Sequence, residues 1–257
     1  MFAKKNVLPL IILVIFLALP FLMILPGQTS KENPCSKVES NSLKLLISDI
    51  KKDFPHVEYA NEKIIDEARK VKSEKYNNGL GVSSPDISKD IESFSTLSWE
   101  KGLTALPVKE SDIVIVGKVV DAKAHLSTNK QSVYSEFKIE IENIFKNSEQ
   151  KFENGKYVTA EREGGIVRYP SGYEFWHHVR GQQMPVVDRR YVFFLTHNFP
   201  VHGYYKHDFY ILTAYELREG RVLPLDNPGD LHPIVSVYKG KNESVLLNDL
   251  QNVFRTQ

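Results

Sequence analysis

The N-terminal segment constrains this chain most strongly, because its apolar run is long enough to cross a membrane. Val7–Leu25 contains 19 consecutive residues without a charge, and Lys4 and Lys5 precede it. A helix rises ~1.5 Å per residue, so this run would span ~28 Å, close to the hydrocarbon thickness of a bilayer. Lysines favour the cytoplasmic side. The segment therefore predicts a cytoplasmic tip and a transmembrane signal anchor over residues 1–27, with membrane contact through residues 7–25 and an extracytoplasmic main domain.

A cleaved signal peptide is the alternative for the same segment. Signal peptides have an apolar core of ~7–15 residues and a small-x-small cleavage site. The residues after Leu25 begin Pro-Gly-Gln-Thr-Ser, without an Ala-x-Ala-like site, and Cys35 follows Glu-Asn-Pro rather than a lipoprotein signal. An uncleaved anchor is therefore favoured. The predicted location is the cell membrane, single-pass, with the N-terminus in the cytoplasm.

Charge balance and cysteine content narrow the class of protein further. The 33 basic and 32 acidic residues give a net charge of +1, whereas a nucleic-acid-binding domain usually has a strong basic bias. Cys35 is the only cysteine, so no internal disulfide can form and the core must stabilise the fold. Cys35 could pair with its copy in a second chain, but an unpaired thiol is favoured. No nucleic-acid partner is expected.

Residues 28–110 are predicted to form a linker and a helical region, a stalk between the membrane and a β-rich domain. An apolar stripe at 3–4 spacing runs from Leu43 to Phe54 and stops at Pro55, and a second helix is predicted over residues 61–76. The charges of this second helix are typical of a solvated face with i,i+4 ion pairs. A short helix is predicted near residues 90–94.

From Asp112 the hydrophobic period changes from 3.6 to 2, which indicates β-strands. Ile113–Val120 is rich in β-branched residues, and Val133, Phe137 and Ile139 alternate with polar neighbours, as on a half-buried strand. Further strands are predicted at 157–162, 166–169, 173–179, 190–195, 209–213, 215–218 and 221–225. The predicted fold class is mainly β with flanking helices (α+β), with a small β-barrel over 111–240 and a C-terminal helix over 241–257.

Five segments between residues 111 and 226 resemble a group of uncharacterised bacterial extracytoplasmic proteins with a small netrin-like or OB-like β-barrel. These segments are SDIVIVGKVV, YSEFKIEIENIFKN, EREGGIV, DRRYVFFL and YILTAYELREGRVLPL. Asn147 and Asp188 stand where this group tends to have glycine. Related eukaryotic netrin-like domains inhibit metalloproteases through disulfide-fixed N-terminal cysteines, which this chain lacks. The resemblance therefore implies a fold, and it implies no activity.

The histidines are the first candidates for metal chemistry. His197, His202 and His207 lie in one predicted loop, and a flexible loop could supply three zinc ligands. Their five-residue spacing matches no ligand motif, so packing within the loop is the favoured interpretation. His177 and His178 are neighbours in a predicted strand, where adjacent side chains point to opposite faces. No catalytic residue, metal ligand or cofactor is predicted.

The segment from residue 168 to 190 could form a binding surface, because it is long, aromatic and rich in turn residues and arginine. Loops of small barrels often carry binding sites, and this surface would suit a sugar chain or a peptide. The favoured alternative is that the aromatic side chains cover the barrel core. The residues concerned are Tyr169, Tyr173, Phe175, Trp176, Arg168, Arg180, Arg189 and Arg190.

Motifs for nucleophilic catalysis and phosphate binding are not found in suitable contexts. No Gly-x-Ser-x-Gly occurs. Gly164-Gly165 is not followed by a predicted helix, so it is not a phosphate loop. Glu161 and Glu163 flank a basic residue, which is typical of an exposed strand face.

Together these patterns predict a non-enzymatic binding or scaffolding module at the cell surface, with a protein or saccharide partner. The alternative is a metal-dependent extracytoplasmic hydrolase that uses the loop 197–207. An enzyme would need several histidines and a carboxylate in one cleft, whereas a binding module needs an exposed aromatic and arginine surface. A third hypothesis, a structural membrane partner, places the interaction surface on the helices at 38–76, with Ile64, Ile65 and Val71 as contacts.

Overall fold

The computed structural model describes residues 52–60, 67–77, 103–148, 155–179, 181–197, 208–226 and 237–255. This part of the chain is mainly β with a C-terminal helix, as the apolar periodicity predicts. Its strands are β1 (His56–Glu58), β2 (Ile113–Leu126), β3 (Val133–Asn147), β4 (Tyr157–Glu163), β5 (Gly165–Arg168), β6 (Glu174–His177), β7 (Arg190–Thr196), β8 (Asp208–Arg218) and β9 (Arg221–Pro224). Its helices are α1 (Glu67–Glu74) and α2 (Glu243–Arg255).

Five strands form a ring, which we call the closed sheet. Their order is β4–β3–β2–β7–β8, and β4 also pairs with β8, so the two ends meet. The closing pair is parallel, with Ala160 opposite Phe209, and the other pairs in the ring are antiparallel. Closure satisfies backbone groups that an open sheet would leave at its edges. Strand β9 adds to β8.

Gly117 allows β2 and β3 to cross closely where the closed sheet bends. The pairing of these strands shifts register at three places, one of them between Val116 and Gly117. A Cβ on Gly117 would lie 2.6 Å from Ile139 Cγ2 and 2.7 Å from the Glu140 carbonyl oxygen. Any larger residue would push the strands apart at this bulge.

Strands β1, β5 and β6 form a second sheet, in the order β1–β5–β6. The chain enters this sheet directly after β4. Gly164 and Gly165 carry the chain between the sheets with φ values of 119° and 152°, a region that favours glycine. A Cβ on Gly165 would lie 2.7 Å from Val133 Cγ1 and 3.0 Å from Ala124 Cβ. The Gly-Gly pair is therefore a crossing point between two sheets, and a strand follows it.

Three apolar clusters hold these elements together. The first draws buried side chains from all five strands of the closed sheet, and it adds five residues from outside that sheet: Phe54, Ile166, Trp176, Met184 and Leu225. The second packs α2 against β2, β7 and β8, and it fully buries Leu246 and Leu250. The third joins the second sheet to the ends of β2 and β3 near their turn.

Strands β1, β2 and β8 differ most from the sequence expectations. Strand β2 continues to Leu126 instead of ending at Val120. Strand β8 is one strand over Asp208–Arg218, where two were predicted, because a register shift in its pairing with β7 interrupts the alternation without ending the strand. The short strand β1 follows Pro55, where no strand was predicted.

The two positions that depart from the resembling group differ in backbone geometry. Asp188 has a φ of 70°, the region in which glycine is favoured and Asp is tolerated. Its carboxylate lies 2.8 Å from Lys118 Nζ. Asn147 is the last residue of β3. A glycine would therefore adopt the backbone conformation of Asp188 with less strain.

The predicted anchor at residues 1–27 lies outside the described residues, as does much of the predicted helical region. Every described residue belongs to the unit Lys44–Gln257. Within 28–110, the described residues contribute Phe54, Val57 and Val108 to the apolar clusters. Across the described ranges, no helix is both long and apolar enough to cross a bilayer.

Candidate functional site

The outer face of β3 and β4 brings three glutamates together. Glu136 lies directly opposite Glu161 in the antiparallel ladder, and Glu163 lies opposite Tyr134. Residues opposite each other project from the same side of a sheet, so these four share a surface, which we call the acidic face. Like charges directly opposite each other destabilise a sheet. The acidic face therefore requires positive charge from another element.

Helix α1 and the turn after it supply that charge. Lys72 Nζ lies 2.6 Å from Glu136 Oε1, and Lys75 Nζ lies 3.2 Å from Glu161 Oε1. Arg69 adds a contact of 3.4 Å to Glu136. The side chains of Lys75 and Glu161 are only 7% and 3% exposed. This segment therefore covers the acidic face and shields its ion pairs from water.

The pKa of Glu136 reflects this environment. Burial by itself would raise the pKa of this carboxyl, but the hydrogen bond from His125 and the charge and hydrogen bond of Lys72 lower it to about 2. Arg69 acts in the same direction. Glu136 is therefore ionised near neutral pH, and its negative charge favours the attachment of α1.

Aromatic and hydroxyl groups complete the contact between α1 and the sheet. The rings of Tyr76 and Tyr134 stack with centroids 4.3 Å apart and an interplanar angle of 5°. The Ser73 hydroxyl lies 3.1 Å from the Tyr134 hydroxyl. Burial raises the pKa of Tyr134 to about 12, so the phenol keeps its proton. Asn77 makes two hydrogen bonds with Asn129 in the turn between β2 and β3.

The burial of these charges contradicts the expectation of exposed faces. Glu161 and Glu163 are 2% and 9% exposed, although the sequence pattern of β4 suggested a solvated strand. Lys70 pairs within the helix with Glu67 at 3.4 Å, as expected for a solvated face. Lys72 instead pairs with the sheet. The charge pattern is the same whether solvent or an oppositely charged helix covers it, so the pattern could not distinguish the two cases.

One signal for this site was present in the sequence. Arg69, Lys72 and Lys75 are spaced by three residues, which places their side chains along one side of a helix. Glu161 and Glu163, two apart in a strand, lie on one side of a sheet. A basic helix stripe and an acidic strand face in one chain can be paired by charge, although nothing in the sequence places them side by side.

Arg162, between the two glutamates of β4, has its side chain on the other side of the strand. Its guanidinium makes two contacts of 2.8 Å with the Asp226 carboxylate, and the Arg162 side chain is 0% exposed. Asp226 also accepts hydrogen bonds from the Thr213 hydroxyl at 2.9 Å and the Gln183 backbone N–H at 3.2 Å. This arrangement ties β4, β8 and the segment after β9 together, as a structural ion pair does.

His177 and His178 have different neighbours, as expected for adjacent residues at a strand end. His177 is fully buried, and its Nε2 lies 3.2 Å from Glu163 Oε1. The ring of His178 stacks on Trp176 with centroids 4.1 Å apart. A Glu–His pair can transfer a proton. Within the described ranges, however, no group of three His, Cys, Asp or Glu side chains is placed to hold a metal ion.

His197 is the member of the predicted histidine loop that the structure describes, whereas His202 and His207 lie outside the described residues. The His197 ring lies 4.0 Å from the ring of Phe209, measured between centroids. Its backbone N–H donates to the Asp112 carboxylate at 2.8 Å. These contacts agree with aromatic packing at the start of the loop.

Three tyrosines form a partly exposed group at the end of the second sheet, which we call the tyrosine cluster. The ring centroids of Tyr59 and Tyr169 are 4.9 Å apart, and those of Tyr169 and Tyr173 are 6.2 Å apart. All three pack against the third apolar cluster. Lys130 Nζ lies 4.8 Å from the centre of the Tyr59 ring. Burial raises the pKa of Tyr169 to about 12, so its hydroxyl is a hydrogen-bond donor at neutral pH.

The other aromatic residues of this segment belong to the core. Phe175 and Trp176 are 4% and 6% exposed. Trp176 packs edge-on against Phe54, with centroids 5.2 Å apart. The favoured interpretation, that these aromatic residues cover the core, is therefore confirmed for these two positions and is incomplete for the tyrosines.

The arginines do not join the tyrosine cluster. Arg168 is one residue from Tyr169 in an extended segment, so its side chain lies on the opposite face of the second sheet. There it pairs with Glu58 and Glu174 at 3.1 and 2.8 Å. The remaining contacts are Arg189 with Glu216, and Arg190 with Glu142 and Glu243. Arg180 lies outside the described residues.

Comparison with protein-family models and with curated proteins finds no match to this chain. The acidic face and the tyrosine cluster are therefore interpreted from their chemistry.

Proposed function

We propose that this protein is a membrane-anchored extracytoplasmic module that binds another protein through the tyrosine cluster, without catalysing a reaction. Its closed sheet corresponds in this proposal to an OB/netrin-like barrel. The five-stranded ring and its strand order support that assignment, because OB folds are small five-stranded barrels that carry binding sites on their outer faces and loops. The proposed membrane anchor comprises residues 7–25.

The tyrosine cluster is the observation on which this proposal depends. Tyrosine gives a large contact area at a low entropic cost, and it is enriched at the centres of protein interfaces. Here the stacking of Tyr59 on Tyr169 and the packing against the third apolar cluster hold the rings before a partner arrives. Preorganisation of this kind raises affinity because less freedom is lost on binding.

A protein fits this surface better than a saccharide does. Sugars bind by stacking on open aromatic faces, but the Tyr59 ring already lies against Tyr169 and beneath Lys130. The nearest arginine in sequence, Arg168, is directed to the other face of the sheet, where it cannot hydrogen-bond to a ligand on the tyrosines. The cluster offers partly exposed tyrosine side chains and the ammonium group of Lys130, which suits a protein partner with acidic or carbonyl groups.

The hydrolase alternative has less support. An enzyme would need ligands or acid–base groups that converge, whereas His197 packs on Phe209 and His177 is fully buried against Glu163. Zinc analysis of the purified protein tests this alternative. Stoichiometric zinc that is lost in His197→Ala or His202→Ala would favour the hydrolase over the binding module.

Site-specific photocrosslinking of the full chain in the producing cells tests the proposed function. A photoreactive aromatic amino acid replaces Tyr173 in one variant and Tyr157 in the other. Tyr157 is a matched control, since it is 40% exposed and has the lysines 138 and 156 near its ring. We expect a discrete protein adduct from position 173 and none from position 157.

Several outcomes would contradict this proposal. Equal adducts from both positions would show unspecific contact, and no adduct from position 173 would remove the tyrosine cluster as a protein site. Binding to a polysaccharide that Tyr173→Ser abolishes would assign the cluster to sugars instead. Extraction of the chain from membranes by carbonate at high pH would contradict the anchor at residues 7–25.

A further inference from the structure

We propose that the acidic face is a second binding site, specific for a basic helical segment of a partner protein, and that α1 is its intramolecular occupant. The proposal is independent of the tyrosine cluster. It concerns the surface formed by Glu136, Glu161, Glu163 and Tyr134.

The acidic face requires a basic occupant. Glu136 and Glu161 are directly opposite each other, and like charges in that position repel. Their repulsion is offset by Lys72 and Lys75 at 2.6 and 3.2 Å. Without Arg69, Lys72 and Lys75, the glutamates would lack these opposing charges, so the face attracts any other basic segment of suitable shape.

Helix α1 and its adjoining turn are attached to the sheet by ion pairs and by the stacking of Tyr76 on Tyr134, outside the three apolar clusters. The helix has eight residues, and isolated helices this short are unstable in water. None of the described side chains of Glu67–Glu74 belongs to the three apolar clusters. Segments with few apolar contacts open at a lower free energy than the core does. Local release of α1 would therefore leave the closed sheet folded.

The contacts of α1 and its adjoining turn indicate what the site recognises. Arg69 and Lys72 contact Glu136, and Lys75 contacts Glu161. Tyr76 then stacks on Tyr134 at 4.3 Å. A partner segment would therefore carry Arg or Lys at i, i+3 and i+6, followed by an aromatic residue. The helix places the first two basic groups on one side, and the turn after it carries the third basic group and the aromatic ring.

Because α1 belongs to the same chain, it competes with any partner at an effective concentration in the mM range. An external basic segment should therefore bind weakly while α1 is in place and more tightly once α1 is weakened. This dependence distinguishes a shared site from unspecific attraction to acidic surface residues, which would not depend on α1.

A peptide of residues 67–77, labelled with a fluorophore, is the probe. Its binding to the full-length protein in detergent is measured by fluorescence anisotropy, for the wild type and for Lys72→Ala/Lys75→Ala. We expect at least tenfold tighter binding to the variant. Adding Glu136→Gln/Glu161→Gln to that variant should abolish binding, and a scrambled peptide of the same composition should bind neither protein tightly.

Hydrogen exchange of the wild type provides a second test, which does not depend on whether a variant folds. The amides of α1 should exchange at least tenfold faster than those of the β2–β3 ladder, and salt should accelerate α1 selectively because it screens exposed charges as they separate. Exchange of α1 only through global unfolding would overturn the proposal. So would equal peptide binding by wild type and variant. A dimer that Glu136→Lys dissociates would assign the face to α1 of a second copy and would overturn the assignment to a separate partner.

Discussion

Two regions of this protein bury ion pairs, and they differ in what surrounds the charges. The Arg162–Asp226 pair lies among strands β4, β8 and the segment after β9, and its carboxylate accepts bonds from Arg162, Thr213 and Gln183. The ion pairs of the acidic face instead join the sheet to one short helix. A similar chemical contact therefore stabilises the whole domain in the first region and a single attached segment in the second.

This difference has a physical origin. Breaking a buried pair leaves an unpaired charge in a medium of low dielectric constant, which costs several kcal/mol. Around Arg162 the chain cannot open without separating strands. At the acidic face, movement of α1 returns both partners to water, so the cost is limited to the local contacts. Removing one partner of an ion pair should therefore destabilise the whole domain at Arg162–Asp226, and it should destabilise only the attachment of α1 at the acidic face.

The largest expected effect is that of Asp226→Ala. This change leaves the guanidinium of Arg162 buried without its carboxylate, so the free energy of unfolding should fall by about 3–5 kcal/mol. Urea denaturation monitored by circular dichroism measures it. The matched control is Arg162→Met/Asp226→Leu, which removes both charges and should recover most of the loss. A decrease below about 1 kcal/mol in Asp226→Ala would show that the pair is not enclosed as described.

The next effect is the pH dependence conferred by Glu136. Its pKa in the folded protein is about 2, below the ordinary value of 4.5. The stabilisation is therefore fully present above pH 4.5 and is lost as the pH falls from 4.5 towards 2, with a total on the order of 3 kcal/mol. The stability difference between wild type and Glu136→Gln should shrink over that interval.

The acid titration of Glu136 should also release α1 first. Hydrogen exchange at pH 7, 5 and 3 should show α1 losing protection before the strands of the closed sheet do. A stability difference between wild type and Glu136→Gln that is constant with pH would contradict the assignment of the lowered pKa to this carboxyl.

A smaller effect is expected for Ser73→Ala. The Ser73 hydroxyl lies 3.1 Å from the Tyr134 hydroxyl in a buried contact, and a hydrogen bond of this kind contributes about 0.5–1.5 kcal/mol. The loss should appear as faster exchange of the α1 amides, with little change in the global urea midpoint. Tyr134→Phe removes the other hydroxyl. The double variant should lose no more stability than the two single variants lose together.

The smallest effect is expected for Arg190→Ala. Arg190 contacts Glu142 at 2.9 Å and Glu243 at 3.4 Å, but its side chain is 40% exposed. Surface ion pairs contribute about 0–1 kcal/mol, so thermal and urea unfolding should change little. A loss comparable with that of Asp226→Ala would mean that exposure does not separate the strong pairs from the weak ones in this protein.

Much of the β architecture could be predicted from local pattern. The alternation around Phe137 and Ile139, both fully buried, predicted β3, because a strand repeats every two residues whatever it packs against. The C-terminal amphipathic pattern likewise predicted α2, whose Leu246 and Leu250 are buried. The end of β2 and the continuity of β8 were not predicted, because bulges disturb the alternation without ending the strand.

The candidate sites were harder to predict than the strands were. The aromatic segment was singled out, but its division into core residues and an exposed tyrosine cluster depends on Tyr59, which lies 110 residues before Tyr169 in sequence and stacks on it. Glu161 of β4 was interpreted as solvated because Lys75, which covers it, lies 86 positions before it in sequence.

The sequence by itself indicated most of the strands and the C-terminal helix, since these depend on hydrophobic periodicity within short stretches of chain. Only the tertiary structure decided which charges are buried. A glutamate on a strand face is solvated or enclosed according to the segment that returns to cover it, and that depends on contacts distant along the chain. For Glu136 and Glu161 the covering segment is α1 and its adjoining turn, which supply the positive charges that make burial of the glutamates tolerable.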